Sequence, residues 1–154
     1  MLDVQIVPAT AAHIAEMLPH VRQADVAEFL AINGSTPEQV LTVGLKISTF
    51  SCAGLINGRV VTIFGVAPGS MIGGTGTPWL VGTDALEKYQ RTFLRRCRKV
   101  VNAMLIVYPY LENYVDERNH VAKAWLHWLG FRLEDAAPFG VAGLKFHRFH
   151  MERK

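Results

Sequence analysis

The stretch DERNHVAKAWLHWLGF, residues 116–131, decides the fold. Asn119 can accept an orphan backbone amide of a following turn through its side chain, which makes it an N-cap. Val121, Ala122, Trp125, Trp128 and Leu129 recur at helical spacing and form one apolar stripe. Gly130 supplies the permissive backbone with which helices stop, and Phe131 opens the next strand. The spacing predicts a helix laid on a sheet, with Trp125 and Trp128 inward and Lys123 and His127 outward.

Upstream, residues 111–116 read as a strand after Pro109, and residues 83–104 as the longest helix. Leu86, Tyr89, Phe93, Cys97, Val100 or Val101, and Met104 form the stripe of that helix at spacings of three and four. Asn57-Gly58 is a hairpin turn between strands Phe50–Ile56 and 59–66. Residues 68–78 read as a Gly-rich turn, and 79–81 as a short strand. Thr36, Pro37 and Gln39 have the capping-box order that starts a helix running to Ile47. Residues 4–7 read as the first strand. Two helical pieces flank Pro19, the second carrying Val21, Ala24 or Asp25, Glu28, Phe29 and Ile32 on its stripe. Strands at 131–133 and 144–151 close the chain around a turn at 136–140. With the pieces around Pro19 counted as one helix, the order is β-α-α-β-β-β-α-β-α-β-β. That order predicts an α/β fold in which a mixed sheet carries helices on both faces.

The length of 154 residues predicts one domain, 1–154, with a real core. Half the residues are hydrophobic and 19% are charged, which excludes a disordered chain. A formal charge of +3 permits a phosphate-bearing partner without calling for one. No apolar run reaches the roughly 18 residues of a membrane span. MLDVQIVPAT lacks the basic start and apolar core of a signal peptide, so a cytoplasmic product is expected. Cys52 and Cys97 stand in no ligand spacing and read as reduced thiols. His147 and His150 are three apart on a strand and point to opposite faces, so no metal site is expected.

The pattern Asn119, Ala122, Gly130, Phe131 resembles the late helix of the GNAT superfamily of N-acetyltransferases. The block from Trp79 onward, with its basic helix and the strand Asn113-Tyr114-Val115, resembles the internal virion protein A family of short-tailed phages, itself a divergent relative of the GNAT fold. The first resemblance implies a GNAT-like sheet and acetyl-CoA. The second implies a role in virion assembly, with virion proteins as partners, in host cytoplasm or virion.

The chemistry departs from the working GNAT pattern. The family's Gly-rich turn holds the pyrophosphate of acetyl-CoA on backbone amides and a helix start. Here the matching stretch, Leu80 to Glu87, has one glycine, no basic residue, and Asp84 and Glu87 in the first helical turn. Those acids favour the helix dipole themselves and repel a phosphate. Many members carry a Tyr as general acid seven residues after the Asn; here that residue is Leu126, with no proton to give. Loss of such a group typically costs about 10²–10⁴ in rate. Tyr114 and Glu112 are the nearest candidate catalytic groups, with Asp116 and Glu117 beside them; surface charge is the ordinary role for such acids. Gly73-Gly74-x-Gly76 precedes a strand, so no helix dipole supports a phosphate there. Lys88, Arg91, Arg95 and either Arg98 or Lys99 share a helix face. Solvation is the ordinary role of such a row; nucleic acid, an acidic protein or the 3′-phosphate of CoA are the alternatives, and no interleaved aromatics favour base stacking.

The expectation is thus a phage-type GNAT-fold protein without ordinary acetyl transfer and without cofactor, acting in virion assembly through protein contacts. The alternative is an amine N-acetyltransferase that grips acetyl-CoA atypically, through the amides of Trp79, Leu80 and Val81, with Arg91 or Arg95 reaching phosphate and Asn119 in the same set. A nucleic-acid-binding module is the remaining class. Oligomeric state is left open.

Overall fold

The computed structural model describes residues 2–70 and 73–154. The chain runs β1 (Val4–Pro8), α1 (Ala11–Met17), α2 (Gln23–Asn33), α3 (Pro37–Ile47), β2 (Phe50–Ile56), β3 (Arg59–Pro68), β4 (Thr75–Gly82), α4 (Asp84–Lys88), α5 (Gln90–Val107), β5 (Tyr110–Asp116), α6 (His120–Leu129), β6 (Arg132–Leu133), β7 (Ala137–Pro138) and β8 (Lys145–Glu152).

Local chemistry sets the ends. Thr10 and Thr36 each close a capping box, with His13 and Gln39 returning the bond. Asn119 accepts from the Ala122 amide and starts α6. Gly34 and Gly130 stop α2 and α6 in the left-handed conformation, at φ 76° and 100°. Asn57 and Gly58 take φ 49° and 79°, the mirror-image turn that joins β2 to β3.

Among the described residues all eight strands form one sheet in the order β1-β2-β3-β4-β5-β8-β6, with β7 also on β8. Every pairing is antiparallel except β4 with β5, which is parallel. That pairing joins only Thr75 to Tyr110 and Gly76 to Leu111, after which the two strands splay apart. Helices cover both faces. Ile14, Met17, Phe29, Leu41, Ile63 and Val81 form the core under α1–α3. Val61, Leu86, Phe93 and Trp125 pack on the opposite face with α4–α6. Met104, Leu111, Val115, Phe131 and Phe149 continue that side over β5 and β8. Among the described residues no helix is long and apolar enough to cross a membrane.

The interruption expected at Pro19 is present, and four other features differ from the sequence reading. The pieces around Pro19 are two helices, parted by a 3-10 turn (Leu18–His20) and by Val21, which bridges to Thr83. Proline at the start of that turn lacks the amide that would continue α1. The long helix bends at Tyr89, whose amide bonds to both Ala85 and Leu86 carbonyls and tightens the turn. The strand expected at 79–81 runs from Thr75 to Gly82, which shortens the Gly-rich turn; positions 71–72 of that turn lie outside the described residues. Residues 137–138 of the final turn pair with β8. Trp128 is 41% exposed, whereas Trp125 is buried as expected. Three residues advance 300° around a helix, so Trp128 falls at the edge of the stripe.

Candidate functional site

The splay between β4 and β5 opens a cleft through the sheet, and the backbone of β4 decides what it can hold. The Thr83 amide bonds to the Val61 carbonyl. By strand alternation Val81 and Trp79 also turn their backbone groups to β3, while Pro78, Leu80 and Gly82 face the splay. Pro78 has no amide, and its carbonyl accepts from Asn113 Nδ2 at 2.7 Å. The Gly82 amide donates to Asp25 Oδ2 at 2.9 Å, and the Gly82 carbonyl accepts from the Arg22 amide at 3.0 Å. Of the trio Trp79, Leu80 and Val81, Leu80 alone presents its backbone to the cleft.

Arg22, Asp25 and Asn119 are each 3% exposed and form a closed polar network. Arg22 donates Nε to Glu87 at 3.2 Å, Nη1 to Asp25 at 3.0 Å and Nη2 to Asn119 at 3.2 Å. Its guanidinium also stands 5.0 Å over the Trp125 ring. Asn119, besides capping α6, donates to Asp25 Oδ1 at 3.4 Å. Burial pushes the Asp25 carboxyl above its usual range, against the pull of Arg22 and the Gly82 amide. Glu28, one turn on, accepts the Asp116 amide at 2.7 Å. Burial raises its pKa to about 7, and the neighbouring Asp25 and Asp116 carboxylates add to the effect.

A cavity of about 330 Å³ occupies the cleft. Arg22, Asp25, Glu28 and Asn119 line its polar part, and Phe29, Leu94, Cys97, Met104, Leu126 and Phe149 are among its apolar walls. Tyr114 lines it too, with its ring stacked on Phe139 at 3.9 Å. Glu112 lies outside that lining; Arg148 holds it at 2.6 Å and also binds the Tyr110 hydroxyl. Trp79 fills space beside Gly44 and donates Nε1 to Ser48 at 2.8 Å. Arg91 stands on the exposed face of α5, in a surface groove and not in the cavity. The structure thus brings Trp79, Leu80, Asn119 and Tyr114 to one cleft and leaves Val81, Glu112 and Arg91 out of its lining. Sequence reasoning missed Arg22 as a site residue. It read Glu28, with Ala24 or Asp25, on one helical stripe, where acids among apolar residues were the available signal.

No protein-family model matches the chain, and no curated protein does. Solved structures do match, and they define the class: an α/β fold with a mostly antiparallel sheet, that of the GNAT acetyltransferases. An acetyltransferase of the GNAT family from Streptococcus pneumoniae is 13% identical, with 99% of this chain and 100% of that one covered and a TM-score of 0.65. Ribosomal-protein-alanine N-acetyltransferase from Brucella melitensis is 18% identical, with 96% and 99% covered and a TM-score of 0.69. Spermidine N-acetyltransferase from Vibrio cholerae, solved with CoA and spermine, is 8% identical, with 97% and 95% covered and a TM-score of 0.70. At these identities the likeness establishes the fold alone.

The GNAT fold implies acyl-CoA, and the residues present do not fit it as they stand. Both backbone groups of Gly82 and the Pro78 carbonyl are already bonded within the chain. The α4 start carries Asp84 and Glu87 where an anion would need positive potential. Thr83 turns its hydroxyl to the Val61 carbonyl at 2.8 Å and offers no contact there.

Proposed function

We propose that this GNAT-fold protein does not run ordinary acetyl transfer and acts through protein contacts, in the assembly of a phage virion. One observation carries the first half: on the edge of β4 that faces the splay, both backbone groups of Gly82 and the Pro78 carbonyl are bonded by the chain's own α2 and β5, which leaves Leu80 alone to a ligand. A ligand arm that paired along this edge beyond Leu80 would have to break the bonds at Gly82 and uncover a buried carboxylate, and uncompensated buried charge costs several kcal/mol. The resemblance of the block from Trp79 onward to a phage virion family supports the second half.

The test is a thermal melt with 1 mM acetyl-CoA. A ligand with Kd near 10 μM would add about 2.7 kcal/mol at that concentration, a shift of several degrees for a domain of this size. No shift is expected. A shift of that size would overturn the reading, and so would failure of the tagged protein to co-purify with assembling phage particles.

A second reading, amine N-acetyltransferase, is favoured by two observations. The solved neighbours named above are acetyltransferases, and Glu28 and Tyr114 line one cavity. A carboxyl titrating near 7 has the pKa a general base needs at neutral pH. Turnover of acetyl-CoA with a polyamine or a peptide N-terminus would establish this reading in place of the first.

A further inference from the structure

We propose that the groove between α5 and α6 docks an acidic protein segment that carries one apolar anchor side chain. The proposal rests on the protein-contact reading above and names the surface. Arg91, Arg95 and Arg98 are exposed on α5, at spacings of four and three, and so share one face. Lys88, Arg96 and Lys99 add exposed positive charge around them. Among the described residues none of these cations has an ion-pair partner. Glu87, four residues before Arg91 and placed to neutralise it, turns instead to Arg22 at 3.2 Å. Asp116 is held by Arg118, and Glu112 and Glu134 by Arg148. Like charges four apart repel along a helix, and carboxylates of a partner would relieve that repulsion.

The groove supplies the anchor site. Gln90, Arg91, Leu94, Arg95 and Trp128 line it, so a half-buried leucine and an exposed indole sit inside a rim of arginines. An apolar centre with Trp and Arg, ringed by polar groups, is the composition of an interface hot spot. Gln90 Oε1 accepts from Trp125 Nε1 at 2.9 Å and fixes the floor between the helices. The geometry favours protein over nucleic acid. The Arg98 guanidinium already lies over the Trp128 ring at 3.9 Å and donates to the Trp128 carbonyl at 3.3 Å, so it covers a face on which a base would stack. The three arginines span only about 10 Å of helix, a length suited to two or three carboxylates of a short segment.

The test titrates the full chain against a panel of fluorescent peptides with Asp or Glu four residues apart and a central Leu, Phe or Trp. Lysine-substituted versions and a short single-stranded DNA serve as comparators. Acidic peptides are expected to bind and to weaken with salt. Arg91→Glu with Arg95→Glu is expected to weaken binding at least about tenfold, and Trp128→Ala about as much, with unchanged circular dichroism. The proposal fails if no acidic peptide binds, if the variants bind as the parent does, or if DNA binds more tightly and is lost in the same variants. Stabilisation by acetyl-CoA would sink the proposed function and leave the groove intact. Absent peptide binding with no CoA effect would sink the groove alone.

Discussion

Glu28 shows what a single side chain does in this cleft. Its carboxyl accepts the Asp116 amide and shares its surroundings with Asp25, Asp116 and Asn119, so ionisation is opposed by burial and by two neighbouring acids. The folded pKa of about 7 stands above the ordinary 4.5. Between those values the folded protein keeps a proton that the unfolded chain releases, so stability falls as pH rises through the window. The parent should therefore lose urea midpoint between pH 5 and pH 8. Glu28→Gln keeps the carbonyl that accepts the Asp116 amide and removes the titration, so its midpoint should fall less over the same range. Equal pH slopes in the two proteins would show that Glu28 ionises freely. The sequence placed Glu28, with Ala24 or Asp25, on one helical stripe but did not show the partners of those acids. The network joins positions 22, 25, 82, 87 and 119, and contacts that far apart leave no periodic trace.

At the level of elements, α6 divides the work of its two tryptophans. Trp125 is 7% exposed, packs beside Phe93 and Leu86, and receives the Arg22 guanidinium on its face. Trp128 lies 41% exposed at the stripe's edge and touches Arg98. Trp125→Ala should cost about 3–5 kcal/mol in urea unfolding, the range for emptying a large buried site. Trp128→Ala should cost about 0.5–1 kcal/mol, the worth of an exposed cation–π contact. Equal costs would mean that α6 is rotated from the position described. The helix itself was legible because its cap, stripe and stop are local. The length of β4 was not, because Gly76 and Pro78 are turn-formers by propensity. Tertiary context reverses both signals: a Cβ at Gly76 would lie 2.5 Å from the Tyr108 ring, so the close approach needs glycine. Pro78 sits where its missing amide would have faced the splay, the one setting in which a strand accepts proline at little cost.

The whole molecule is one sheet whose two halves meet at a narrow seam. From β1 to β4 every neighbour pairs along most of its length, as β5 does with β8, while β4 and β5 share only the pairs at Thr75 and Gly76. Beyond those pairs the seam is crossed by the Asn113 side chain, which donates to the Pro78 carbonyl. Asn113→Leu keeps the volume and removes both that donor and the oxygen that accepts the Tyr114 amide at 2.8 Å, leaving a carbonyl and an amide at the cleft without their partners. Each group left unsatisfied when buried costs about 1–3 kcal/mol, so a dry seam predicts a loss of at least that size in urea unfolding. The m-value should stay unchanged if the two halves still unfold together. A negligible loss would mean that water replaces the side-chain amide at Pro78 and at the Tyr114 amide. The cleft would then be wet along β4, its edge open to hydrogen-bonding ligands, and Asn113→Leu should be the variant in which acetyl-CoA first produces a thermal shift. Stability and ligand response of this one variant therefore separate a seam closed by the chain itself from one that solvent and substrate can enter.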